Sequence, residues 1–369
     1  MSTNIGAPPR GAVSLRVPEA VRDRLSDVVS QLAAAGGLIV VFIVLSFASP
    51  YFLTSNNLFN IGVQVSIVAI LAMGETLVIL TAGIDLSVGS VAGLGGVLGT
   101  MAMAKAGLPM VPGILIGILT GAGIGVVNGL LITQMRLPPF IATLGMLGVA
   151  RGLTFIVGGE NAVYGLPAKF RLFGEGQIGP VPLPILYVVV IAVAGYVILS
   201  RTKLGRFAYA IGSNEQAARL SGIPLNRYKV AVYVISGALA GFGGMIAASL
   251  VHSGQPNYGV GLELSAIAAC VIGGASLFGG VGTIGGTLIG ALLMAVITNG
   301  AVLLNITQYY QQVIIGVIIW GAVWWDQVRR RRLAAATEQA HGRRSAAADD
   351  DAPGADGGGG GQRSAGATA

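Results

Sequence analysis

Cysteine occurs once in this chain, at position 270, and histidine twice, at 252 and 341. A single cysteine excludes an intramolecular disulfide framework and a cysteine-cluster metal site, and two distant histidines do not make a metal centre. Charge is scarce as well. Asp, Glu, Lys and Arg make up 10% of residues, where soluble domains carry about 25%, so an ordinary water-soluble fold is excluded. There is no G-x-x-x-x-G-K-[ST] phosphate loop, so the chain is not expected to hydrolyse ATP or to bind a cofactor itself. The run GVGTIG places Gly280, Gly282 and Gly285 at dinucleotide-binding spacing, but no β-strand is read before it and no ribose-binding acid after it. A cleavable leader is not expected either: the first 30 residues carry Arg10, Arg16, Arg22 and Arg24 but no apolar core.

Apolar sequence fills the space that charge leaves. Hydrophobic residues make up 54% of the chain, mean hydropathy is +0.78, and the apolar residues come in runs of about 20, the length that crosses a bilayer. Ten such windows are read, at 32–49, 58–80, 86–104, 111–134, 138–157, 183–200, 230–251, 263–277, 283–304 and 308–325. The eighth is short enough to be a broken or re-entrant helix. Basic residues favour cytoplasmic loops, and with a cytoplasmic N-terminus ten spans put 18 of the 22 lysines and arginines on that side or at its ends. Lys105, Lys169 and Arg171 fall outside, and Arg151 falls within a span. Removing one span would place either the 200–229 loop or the Arg329–Arg332 cluster outside. The net charge of +7 therefore follows from topology, not from affinity for nucleic acid.

The expected fold is an all-α integral membrane protein of about ten transmembrane helices in a compact, glycine-rich bundle, with both termini cytoplasmic. Residues 1–31 form a cytoplasmic segment in which Val21, Leu25, Val28 and Val29 share one face of an amphipathic, membrane-surface helix. Residues 32–332 form the transmembrane domain, and 333–369, dominated by Ala, Gly and Asp, a disordered cytoplasmic tail. Gly117, Gly121, Gly125 and Gly129 repeat every four residues, as do Gly282, Gly286 and Gly290, and Gly237 and Gly241. Small residues at that spacing let helices approach closely in lipid.

Charges in apolar surroundings cost about 2.5–3.5 kcal/mol on insertion scales and usually face a bundle interior or a watery cavity. Glu75, Asp85, Arg151 and Glu263 are such residues. In TAGIDLSVGS, Asp85 and Ser87 can cap the next helix or meet the solute path, and Glu263 can be an acid of a helix's first turn. Glu75, Asp85, Ser87, Asn128, Arg151 and Asn299 are the candidates for a translocation path or gate, with helix–helix hydrogen bonding the competing role of Asn128 and Asn299.

One interior segment is built for water: SRTKLGRFAYAIGSNEQAARLSGIPLNRYK, residues 200–229, with six cations and the single acid Glu215. A membrane protein whose main cytoplasmic loop is a short helix-like piece hands its work to a partner. Glu215 and Arg219 stand one helical turn apart, and Gly222 suits the end of that helix.

Four blocks, TAGIDLSVGSVAGL, PPFIATLGMLGVARGLTFIVGG, TKLGRFAYAIGSNEQAARLSGI and ACVIGGASLFGGVGTIGGTLIGALLMAVITNG, resemble the membrane permeases of bacterial ATP-binding cassette importers for monosaccharides such as ribose, xylose, arabinose and galactose. The resemblance covers roughly 35–330. It implies that Gly212, Asn214, Glu215, Ala217, Ala218, Arg219 and Gly222 belong to a coupling helix that docks on a cytoplasmic ATPase. It further implies a homodimer in the bacterial plasma membrane, an extracytoplasmic sugar-binding protein, ATP consumed by the partner ATPase, and no catalytic residue in this chain. A branched-chain amino acid permease of the related family is the nearest alternative, and ID-LSVG favours the sugar branch. An ion-coupled secondary transporter or a receptor-like scaffold are rivals from other classes.

Overall fold

The computed structural model describes residues 19–324 and 326–328, and of the side chains between 19 and 33 only that of Leu32. The tail from 333 onward lies outside the described residues. So does the apolar stripe expected of Val21, Leu25, Val28 and Val29. The backbone of that segment is helical and runs without a break into the first apolar window, as one helix, α1 (Glu19–Ala48).

Each of the ten apolar windows coincides with a helix. After α1 come α2 (Ser55–Leu80), α3 (Val88–Ala104), α4 (Met110–Thr133) and α5 (Pro139–Gly158). A short α6 (Arg171–Glu175) and a two-residue hairpin, β1 (Gln177–Ile178) with β2 (Val181–Pro182), precede α7 (Leu183–Arg201). The polar segment holds two helices, α8 (Lys203–Ser213) and α9 (Glu215–Leu220), where one helix-like piece was expected. Then follow α10 (Leu225–Leu250), α11 (Leu262–Ile272), α12 (Ile284–Leu303) and a last helix starting at 308. Six of these, α2, α4, α5, α7, α10 and α12, are long and apolar enough to cross a membrane, and the apolar part of α1 (Ala34–Ala48), α3 and α11 are shorter.

The glycine stripes read in the sequence face one another. A Cβ at Gly121 would run into the Gly237 carbonyl, one at Gly125 into Tyr233, and one at Gly241 into Gly117, so α4 and α10 touch backbone to backbone. Gly286 and Gly290 of α12 meet Gly273 and Ala269 at α11 in the same way. Close approach substitutes dispersion contacts for the hydrophobic drive that lipid does not supply. Helix α2 lies at the centre, with 78% of its best apolar stretch buried against 17% for α7. Position in the bundle, more than hydropathy, distinguishes them.

The short eighth window is broken: an irregular inward segment is followed by a half-length helix. The segment 251–261 travels inward along α3: Gly254 lies against Thr100, Tyr258 against Gly93 and Gly259 against Gly89. From Thr100 to Gly89 is about 16 Å of helix at 1.5 Å per residue. Helix α11, 11 residues long, thus starts deep in the bundle and is about 16 Å long, half of the roughly 30 Å hydrocarbon thickness.

Candidate functional site

Two regions carry the polar chemistry. The first is the pair α8–α9. Helix α8 is capped at its start by Thr202, whose hydroxyl accepts from Gly205 N at 3.4 Å. Asn214 ends α8 and caps α9, its Oδ1 accepting from Ala217 N at 2.9 Å, which supplies an acceptor to an otherwise unpaired helix N–H. Helix α9 ends in a Schellman motif: Ile223 N donates to Ala218 O at 3.1 Å and Gly222 N to Arg219 O at 3.0 Å. Gly222 takes φ +76°, and a Cβ there would meet nothing within 4 Å, so the position demands glycine for its backbone and not for space.

The seven residues named for docking divide by environment. Asn214, Glu215, Ala217, Arg219 and Gly222 are exposed. Ala218 is 4% exposed and packs inward with Ile211 and Leu225, so its smallness serves the loop's own core, not an outward surface. Gly212 is half-buried; a Cβ on it would strike the Leu80 carbonyl and come within 2.5 Å of Gly280 N. Leu220, which the sequence reading did not single out, is 89% exposed at the end of α9. Glu215 pairs with Arg219 at 3.6 Å and more closely with Lys229. The close packing at Gly212 fastens α8 to the end of α2 and to the turn before α12, where Gly280 N donates to Leu80 O at 3.1 Å.

The second region lies just inside that junction. Residues 81–87 interrupt the chain between α2 and α3. There Glu75 Oε1 accepts from Asp85 N at 2.9 Å, and Asp85 Oδ1 accepts from Ser87 N at 2.9 Å and from Ser87 Oγ at 2.5 Å. Asn128 Nδ2 of α4 donates to Ser87 Oγ at 2.9 Å. Four of the six path candidates therefore form one connected, fully buried chain of hydrogen bonds. The expectation that Ser87 caps α3 with its side chain is corrected: its hydroxyl makes no capping bond and links Asp85 to Asn128 instead. Asp85 accepts the N–H at the start of α3. Sequence reading missed Tyr233 and Ser236, whose buried hydroxyls on α10, with Glu75 Oε2 and Asn128 Oδ1, have no hydrogen-bond partner among the described residues. Two polar side chains three apart in an apolar run were the available signal.

The other two candidates lie apart. Arg151 Nη1 donates to Tyr258 O at 2.6 Å, anchoring the inward segment before α11 to α5. Glu263, in the first turn of α11 as expected, accepts from Gly261 N at 3.2 Å. Asn299 of α12 exchanges two hydrogen bonds with Asn57 of α2, at 2.9 and 3.0 Å. Its amide is spent on joining two helices. Among the described residues no group of His, Cys, Asp and Glu could hold a metal ion. The GVGTIG run is a turn leading into α12, whose first turn is capped by Thr283, accepting from Gly286 N at 3.0 Å.

Comparison with known proteins places this glycine-packed helical bundle. Residues 57–323 match the family described as branched-chain amino acid transport system / permease component. The chain belongs to this family. It is 44% identical over 280 residues to the ribose import permease protein RbsC of Escherichia coli (strain K12), covering 74% of this chain and 86% of that protein. It is 42% identical over 295 residues to the ribose import permease protein RbsC of Bacillus subtilis (strain 168), covering 79% and 91%. The L-arabinose ABC transporter permease protein AraH of Azospirillum brasilense is 38% identical over 285 residues, covering 76% and 84%. This permease is thus a multi-pass protein of the bacterial plasma membrane.

Proposed function

We propose that this permease is the membrane-spanning subunit of an importer for monosaccharides, driven by a cytoplasmic cassette ATPase and supplied by an extracytoplasmic sugar-binding protein. The names of its relatives support a sugar over an amino acid. The observation that carries the reading is the pair α8–α9: an ordered, doubly capped surface piece with Leu220 standing 89% exposed and its base packed on Leu80 and Gly280.

In this reading α9 seats in the ATPase, with Leu220 as its apolar anchor. Movement of α8–α9 on ATP binding passes through Gly212 to the end of α2 and the turn before α12. The buried chain from Glu75 to Asn128 spans the break between α2 and α3 at that junction and gates the path by rearranging. The chain has ten membrane spans with both termini cytoplasmic, and two copies enclose the path. It binds no cofactor, performs no bond chemistry, and leaves ATP to its partner.

The test is uptake of D-ribose, D-allose and L-arabinose by vesicles holding the permease with its ATPase and binding protein. ATP-dependent accumulation of at least one of these is the expected result. Accumulation of L-leucine alone would assign the chain to amino acids, and accumulation without ATP on an ion gradient would make it a secondary transporter. Leu220→Asp is expected to abolish co-purification of the ATPase; retention of the ATPase would remove α9 as its seat.

A further inference from the structure

A cavity of about 330 Å³ opens where α11 begins, bounded by α2, α11, α12 and the helix starting at 308. Its size falls at the small end of small-molecule sites, about 300–1,000 Å³. Backbone that is not helical is tolerated at membrane depth only where protein covers it or a cavity meets it. The start of α11 at Gly261 is such backbone, and it lines this cavity.

The polar lining is specific in kind. Glu263, Ser265, Thr298, Gln308, Gln311 and Gln312 line it beside the apolar Val68, Met294 and Ile315. Ser265 Oγ donates to Gly261 O at 3.2 Å and Thr298 Oγ1 to Met294 O at 2.9 Å, so both hydroxyls spend their proton on their own helix and present an acceptor to the cavity. Gln311 Nε2 donates to Ile306 O at 3.0 Å, while the side-chain amides of Gln308 and Gln312, both exposed, each offer two donors and an acceptor. Among the described residues no Lys, Arg or His lines the cavity. A helix N-terminus can hold an amino acid's carboxylate without a cation, but at the start of α11 Glu263 already accepts from Gly261 N and its own negative charge disfavours a second carboxylate there. A neutral polyol needs the mixture that is present, with aliphatic side chains against its C–H face.

The cavity also sits at a fitting depth. Helix α12 starts beside the turn that packs on α8, and Thr298 lies 14 residues further on, about 21 Å along the helix. The opening is therefore displaced from the docking helices toward the opposite side of the membrane, from which an imported solute arrives.

We propose that this cavity is the site where the permease receives a neutral polyhydroxylated solute of monosaccharide size, held by Gln308, Gln312, Thr298, Ser265 and Glu263. This rests on the importer reading, and the test separates the two. Vesicles with the permease, its ATPase and its binding protein are assayed for D-ribose, D-allose and L-arabinose moved per ATP hydrolysed, for the parent, Gln312→Leu and Thr298→Val. Loss of one ligand hydrogen bond corresponds to about tenfold, so a fall of about tenfold in sugar moved per ATP is expected in both variants. In a second arm Ser265→Cys is placed in a Cys270→Ala background, and D-ribose is expected to slow its alkylation by a maleimide about threefold or more, an occupancy of two thirds by mass action, where L-leucine does not. Unchanged ratios together with unchanged alkylation would overturn the cavity while leaving the importer standing. So would loss of hydrolysis in parallel with uptake and no protection, the mark of a purely structural role. A parent that moves none of the three sugars would overturn the importer reading, and the polyol assignment with it.

Discussion

Lys229 Nζ donates to Glu215 Oε2 at 2.8 Å, across the turn that joins α9 to α10. The lysine side chain is 15% exposed and the glutamate 45%, whereas Arg219, the i, i+4 neighbour on the same helix, is 70% exposed and 3.6 Å away. The shorter and drier pair fixes α9 on the end of a long helix.

It follows that Arg219→Ala should alter the stability of the α8–α9 pair by under about 1 kcal/mol, as exposed pairs do, and Lys229→Met by more. Hydrogen exchange at the α9 amides reads the difference. Equal loosening by both variants would refute the ranking.

Two glycines of this segment should behave differently. Gly212→Ala forces a methyl group into the Leu80 carbonyl, an overpacking expected to cost about 1–3 kcal/mol and to lower the thermal stability of the purified permease. Gly222→Ala meets no atom within 4 Å and carries only the strain of φ +76°, about 1–2 kcal/mol, confined to the end of α9. Thermal unfolding in detergent, paired with limited proteolysis of the loop, distinguishes them: global loss for Gly212→Ala, local nicking for Gly222→Ala. A reversed pattern would contradict the packing described.

Asn57 and Asn299 should show energetic coupling. Each single change to Leu leaves a buried amide without its partner, at about 1–3 kcal/mol, while the double change removes both. The double-mutant cycle is expected to give a coupling energy of about 0.6 kcal/mol or more, the average for interhelical hydrogen bonds in lipid. Strict additivity of the two single changes would show that the pair does not act as a unit.

At the break after α2, Glu75→Gln keeps a carbonyl oxygen for the Asp85 N–H, and Glu75→Leu does not. Yield of folded permease is expected to stay near the parent's for Gln and to fall for Leu, by about 1–3 kcal/mol of stability. Equal yields for the two variants would deny the hydrogen bond its structural role.

Topology is open to labelling. Cysteines placed at Gln216 and at Ala168, both exposed, in a chain whose Cys270 is replaced, should react with an impermeant thiol reagent from opposite sides of the membrane, Gln216 from the cytoplasm. Reaction from one side would overturn the ten-span arrangement.

The sequence by itself determined the class of the molecule, where its apolar helices lie and the polar segment at 200–229, because hydropathy, run length and charge bias are local properties that the bilayer reads one helix at a time. It also marked where helices would touch, since a glycine every fourth residue leaves a groove whatever the partner. Only the tertiary structure decided which grooves meet, Gly121 with Gly237 and Gly290 with Ala269. It decided too that Asn299 spends its amide on Asn57 while Glu75, Asp85, Ser87 and Asn128 share one chain of bonds. A buried polar side chain takes the partner that packing brings within reach, and residues 41 or 242 positions apart become neighbours. For the same reason Ala218, placed by the resemblance in the docking helix, turned inward: a helix of six residues has too little surface to choose its own face, and the neighbours at Ile211 and Leu225 chose it, while Gly212 of α8 was held by its contact with Leu80.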